Sequence, residues 1–153
     1  MIDKTPSSSE NCLILFTSAL ELVIKIKNMK NLIIDATGDN ILFKVITKKE
    51  SYTSNHSNSR ENFDKFVILL FEFLKENNTK LEDINNILIN QGPGKYSSIR
   101  ASIAIAKGLS IAKNINVYGF RKNQIDIEKY DKLFDLLQNG DLNQNLIKPI
   151  YTN

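Results

Sequence analysis

This chain is poor in the residues that carry chemistry. It holds one cysteine, Cys12, one histidine, His56, and no tryptophan. A single cysteine excludes a disulfide framework and a thiolate metal cluster. A single histidine excludes a paired-histidine metal site. A Ser-His-Asp triad would have to use His56, which lies in the polar stretch Ser54-Asn55-His56-Ser57-Asn58 and reads as a solvated loop residue. Neither a metal nor a cofactor is expected. Charge of one sign is also lacking: 20 basic against 17 acidic residues leave a net +3, too slight for the clustered basic face that nucleic-acid binding requires.

Long hydrophobic runs are missing as well. Cys12-Leu13-Ile14-Leu15-Phe16 is too short to span a bilayer. The head Met1-Ile2-Asp3-Lys4 lacks the basic region of a secretory signal, so the expected location is the cytoplasm, with no membrane partner. The first core-like strand begins just after Met29. Met29 is therefore expected to be the natural start and residues 1–28 an upstream extension outside the core, with a genuine N-terminal arm as the alternative; residues 29–153 are expected to be a single domain with its core over 31–120. A chain of 153 residues, 42% hydrophobic and 24% charged, suits one globular domain.

Within that domain the pattern alternates. Asn31-Leu32-Ile33-Ile34-Asp35 is the apolar run of a buried central strand. Turn residues Ala36 to Asn40 separate it from a second strand at 41–47, and a third is expected at 51–53. Phe63, Phe66, Val67, Leu70, Phe71 and Leu74 form one apolar stripe on a helix expected at 61–76. Ile68, Leu69 and Phe73 lie off that stripe and suggest a second buried face, turned toward a partner or toward the C-terminal segment. A strand at 86–90, a helix at 97–113 capped by Ser97 or Ser98, a strand at 116–118 and a polar helix at 127–138 complete the reading. The order β-β-β-α-β-α-β implies an α/β fold with a mixed five-stranded sheet, plus a C-terminal helix.

The most informative run is Gly92-Pro93-Gly94-Lys95-Tyr96-Ser97-Ser98-Ile99-Arg100, set between a strand and a thin helix containing Ala106-Lys107-Gly108-Leu109. With Ile34-Asp35-Ala36-Thr37 and the closing Pro149-Ile150-Tyr151, it resembles the TsaB (YeaZ) family. There the loop reads close to GPGSFTGLR; here the last glycine is replaced. The resemblance implies one lobe of a ribonuclease-H-like, actin-like ATPase (ASKHA) fold. It also implies a non-catalytic role in making threonylcarbamoyladenosine at position 37 of tRNA.

The implied partner is a TsaD-like enzyme, held in an active arrangement by the helices at 61–76 and 97–113. A TsaE-type ATPase is implied as a third component, with tRNA contacted only indirectly. TsaD carries metal-binding histidines on the helix matching 61–76, and this chain has Arg60-Glu61-Asn62-Phe63-Asp64 there. Phe66, Ile68, Leu69, Phe73, Ile99 and Ile103 are the expected interface. Family members have a second lobe for which this chain has no room, so the resemblance implies a shortened, one-lobed form.

Three residues allow a contrasting reading. Asp35 stands where actin-like ATPases place a carboxylate that organises a metal-bound phosphate, and Gly92 and Gly94 could cradle a phosphate with free amides. That would make the chain a small nucleotide-binding phosphotransferase fragment. Against it, Pro93 has no N–H and no P-loop lysine follows in register. Asp35 as the cap of the Thr37-Gly38 turn, and Gly92-Pro93-Gly94 as a structural turn, are the simpler readings. Arg100 would either pin that loop or meet a partner carboxylate. A homodimer through the same helical face is the third possibility.

Overall fold

The computed structural model describes residues 8–126, 129–144 and 146–152. The head at 1–4 and the first two residues of the helix expected at 127–138 lie outside them.

The run Asn31 to Asp35 forms β1 (Lys30–Asp35), every residue of which is buried except the half-buried Lys30. β2 (Asn40–Ile46) pairs with it antiparallel, Ile34 opposite Phe43, and β3 (Ser51–Ser57) pairs antiparallel with β2, Phe43 opposite Ser54. On the other side β4 (Ile84–Asn90) runs parallel to β1, and β5 (Asn116–Phe120) parallel to β4. The sheet order is β3-β2-β1-β4-β5. β1 is therefore central and buried, with the apolar run Leu32-Ile33-Ile34 at its middle, whereas the edge strand β3 is polar, SYTSNHS, and half-buried only at alternate residues.

Alternation across the pleat splits the core in two. Leu32, Ile34, Phe43, Val45, Ile87, Ile89 and Val117 belong to the layer shared with α3 (Phe66–Glu76) and α4 (Tyr96–Lys113). Ile33, Ile46, Leu88 and Phe120 belong to the opposite layer, with Tyr130, Leu142 and Leu133 of α5 (Lys132–Asn139). Left-handed residues end both later helices: Asn114 at φ 54° after α4, and Gly140 at φ 75° after α5.

Three local expectations change. His56 lies on β3, not in a loop, with its Nε2 2.7 Å from Ser54 Oγ and its ring 6.0 Å from Phe43. The helix expected at 61–76 is broken at Lys65 into α2 (Arg60–Asp64) and α3. α4 starts at Tyr96, so Ser97 and Ser98 lie inside it and cap nothing; Ser98 instead donates to Asn58 Oδ1 at 2.9 Å.

Before β1 runs α1 (Ser8–Lys27), a helix whose side chains are exposed from Ser8 to Lys25, the apolar ones included. Among the described residues no helix is long and apolar enough to cross a membrane.

Candidate functional site

β1 and β4 are parallel neighbours, so their C-terminal ends bring Asp35 and Asn90 side by side. This end of an open α/β sheet is where such folds place ligands. Asp35 is nearly buried, and each carboxylate oxygen accepts two hydrogen bonds. Oδ1 takes the Thr37 amide at 3.0 Å and the Thr37 hydroxyl at 2.8 Å. Oδ2 takes Asn90 Nδ2 at 2.8 Å and the Tyr130 hydroxyl at 2.8 Å. Four donors fill the acceptor positions of a carboxylate. A metal-bound ligand at Asp35 would have to displace one of them, so the geometry is that of a turn cap and strand tie.

Beside Asp35 opens a polar cleft of about 470 Å³, lined also by Asn40, Lys44, Asn55 and Lys122. Lys44 Nζ stands 3.8 Å from Asp131 and 6.0 Å from the centre of the Tyr130 ring.

The Gly92–Gly94 loop is committed to the protein itself. Gly92 has φ +113°, open to glycine at little cost, and a Cβ there would strike the Ile150 carbonyl. A Cβ on Gly94 would strike the backbone and side chain of Thr37. Asn90 Oδ1 accepts the Gly92 amide at 3.0 Å, Thr37 O accepts the Lys95 amide at 3.2 Å, and the Gly92–Pro93 bond is cis. The C-terminal strap closes the outside: Gln91 O accepts the Ile150 amide at 2.7 Å, and Gly94 bridges to Tyr151. Arg100 pins this corner. Its guanidinium lies 5.1 Å from the Tyr96 ring centre and donates to the Tyr96 hydroxyl, while Tyr96 packs on Tyr151 at 4.5 Å.

Two contributors are absent from the sequence expectations. Asn58 donates to the carbonyls of Ala36 (3.2 Å) and Gly38 (2.9 Å) and accepts from Ser98, joining the β1–β2 turn to α4. Tyr130 reaches Asp35 from the opposite layer. Neither sits in a periodic or motif-like context, so no sequence signal marks either.

The helical face needs correction. Phe66, Phe73, Ile99 and Ile103 are buried in the core and present no surface. Phe66 and Phe73 both pack on Phe43, at 5.3 and 6.2 Å between ring centres. Of the expected interface residues Ile68 is exposed and Leu69 is half-buried against the core. The uncovered face of α3 is instead Val67, Ile68 and Phe71, between 42% and 57% exposed. The break at Lys65 is the reason. After it the stripe counted from Phe63 still buries Phe66, Leu70 and Leu74, but Phe73 joins them while Val67 and Phe71 turn outward.

Beyond α3 an apolar groove of about 750 Å³ runs between its last turns and the loop that follows, lined by Phe71, Leu74 and Leu81 and rimmed by Lys75, Lys80 and Lys113. Among the described residues no group of three or more His, Cys, Asp or Glu side chains could hold a metal ion.

The architecture matches YeaZ from Pseudomonas aeruginosa with a TM-score of 0.61 at 16% identity, over 70% of this chain and 50% of that one. The protein thus has an actin-like, ribonuclease-H-like fold. A family model described as TsaD, tRNA N6-adenosine threonylcarbamoyltransferase, matches residues 53–128. The TsaB tRNA threonylcarbamoyladenosine biosynthesis protein of Buchnera aphidicola (subspecies Schizaphis graminum) is 31% identical over 98 residues, 64% of this chain and 47% of that protein. A tRNA N6-adenosine threonylcarbamoyltransferase of Kosmotoga olearia is 36% identical over 56 residues, 37% of this chain and 17% of that protein. On these matches the chain is similar to proteins of the TsaB/YeaZ family. It spans about half the length of the Buchnera relative.

Proposed function

We propose that this chain is a non-catalytic scaffold subunit in the formation of N6-threonylcarbamoyladenosine on tRNA, acting by binding a TsaD-like enzyme. The observation that carries the proposal is the uncovered apolar face Val67, Ile68 and Phe71 on a helix whose other side is fully used by the core. Polar side chains normally take such positions on a surface helix. α4 continues the layer with exposed Ala104, Gly108 and Ile111, a thin surface that lets a neighbouring helix approach closely.

The chemistry near Asp35 fits a scaffold. Asp35 is saturated by Thr37, Asn90 and Tyr130, and the glycines that could cradle a phosphate are packed against Thr37 and Ile150. The TsaE-type ATPase belongs to the same proposal, as does indirect contact with tRNA. Mixing the protein with the TsaD-like enzyme of the same genome tests it. A joint species on size exclusion with light scattering, lost on Ile68→Glu, supports the scaffold; two unshifted peaks refute it.

One observation favours a second reading. The polar cleft beside Asp35 carries Lys44 and Lys122, which suit an anionic ligand. Under that reading, a nucleotide-binding phosphotransferase fragment, ATP binds saturably and Lys44→Ala abolishes the binding.

A further inference from the structure

The second apolar surface belongs to α1, and none of the preceding function uses it. Glu10, Thr17, Glu21 and Lys25 fall at i, i+7, i+11 and i+15, one polar stripe along the helix. Most of the rest is apolar: Leu13, Phe16, Leu20, Val23 and Ile24 are 49% to 67% exposed, and Leu15 and Leu22 add to them. Together they present on the order of 600–800 Å² of apolar surface. The largest patch of an ordinary monomer is about 300–600 Å², and a stable interface takes about 800 Å² from each partner. This helix has the area for an interface of its own.

Its root lies beside a receptor of matching character. α1 ends at Lys27 and β1 starts at Lys30, whose Nζ donates to Thr79 Oγ1 at 3.3 Å. Thr79 lines the apolar groove formed by Phe71, Leu74 and Leu81. The net charges are complementary: the polar stripe of α1 carries Glu10 and Glu21 against Lys25, and the groove rim carries Lys75, Lys80 and Lys113 against Glu82, which Lys113 pairs. In this structure α1 stands clear of the core over Ser8 to Lys25. Only two residues, Asn28 and Met29, separate it from β1, which leaves little chain for doubling back. A second molecule meets no such limit.

We infer that α1 is an exchange arm: in a two-fold dimer, each copy lays its α1 into the Phe71–Leu74–Leu81 groove of the other. The interface is isologous, so the two arm-in-groove contacts are identical. The occupant is a second copy of this chain; its arm would reach Phe71 at the edge of the face assigned above to the enzyme, so the two occupants meet at that residue.

Light scattering on the full chain, with two charge-reversed variants, tests it. Variant one carries Glu10→Lys and Glu21→Lys on the arm; variant two carries Lys75→Glu and Lys80→Glu on the groove. The wild-type chain is expected at twice the monomer mass. Each variant alone places like charges together and dissociates at least tenfold more readily. An equimolar mixture places opposite charges at both contacts and recovers the dimer. Leu20→Asp on the arm gives a monomer whose melting temperature equals that of variant one.

A wild-type monomer at all concentrations overturns the inference, whether α1 lies free or in its own groove. So does a dimer unaffected by Leu20→Asp, or a mixture that fails to reassociate. Sedimentation of the wild-type monomer with anionic phospholipid vesicles would assign α1 to a membrane surface and overturn it too.

Discussion

The hydroxyl of Tyr130 donates to the Asp35 carboxylate at 2.8 Å, joining residues 95 positions apart in the chain. Asp35 ends the central strand, and Tyr130 packs edge-on against Phe120 in the layer on the far side of the sheet. This one bond ties the C-terminal segment to the middle of the sheet, where the Gly92–Gly94 loop is also anchored through Asn90.

Tyr130→Phe keeps the ring and removes the donor. A nearly buried acceptor then lacks one partner, so the expected loss is about 1–3 kcal/mol in thermal or urea unfolding. Asp35→Ala strands donors from Thr37, Asn90 and Tyr130 together and is expected to cost more than Tyr130→Phe. Equal losses for the two variants would show that Tyr130 is the only donor of consequence.

Two glycines should respond oppositely to alanine. At Gly94 the new methyl meets Thr37, and the loop must shift; a loss of about 1–3 kcal/mol is expected from overpacking. At Gly108, inside α4, a Cβ meets nothing within 4 Å. There alanine should stabilise by about 0.5–1 kcal/mol through helix propensity. Melting curves of the two single variants decide this.

On α3 the decisive contrast is Phe73 against Ile68. Phe73→Ala opens a cavity beside Phe43 and should cost about 3–5 kcal/mol. Ile68→Ala, at 57% exposure, should change stability by about 0.5 kcal/mol or less. A large cost at Ile68 would mean that this face is covered within the folded protein.

Glu82 should give a small acid-side signature. Its hydrogen bond from Lys113, at 2.7 Å, holds its carboxyl below the ordinary 4.5, helped by a backbone hydrogen bond and the lysine charge. A depressed folded-state value contributes stability above pH 4.5 that is lost as pH falls through the lowered value. The melting temperature of Glu82→Gln should therefore lie slightly below wild type at pH 7 and converge with it in acid. The pair is exposed, so about 1 M salt should shrink the difference at pH 7. Curves that stay parallel down to pH 3 would leave the ion pair without a part in stability.

Much of the architecture was legible because it rests on local pattern. The apolar run at 31–35 marked the central strand, and Gly92-Pro93-Gly94 marked the turn into a thin helix. β3 was underestimated because its second half, Ser54 to Ser57, is polar; an edge strand held by backbone pairing to β2 needs no apolar period. The break before α3 and the burial of Phe73 were missed because the break at Lys65 follows an ordinary Asp64-Lys65 step without glycine or proline.

The candidate site was half legible. Asp35 and the glycines could be singled out by residue type and position. Asn58, Tyr130 and the strap at 148–151 act through contacts between distant segments, which no spacing records. The apolar run at 12–16 was visible, and its continuation to Ile26 as one long helix was not.

Binding to the enzyme is decided by mixing the purified chain with the TsaD-like protein of the same genome, then following size exclusion with light scattering. A joint species heavier than either protein alone is expected, abolished by Ile68→Glu and unaffected by Lys44→Ala. Two peaks at their separate positions, or a joint peak indifferent to Ile68→Glu, would contradict it.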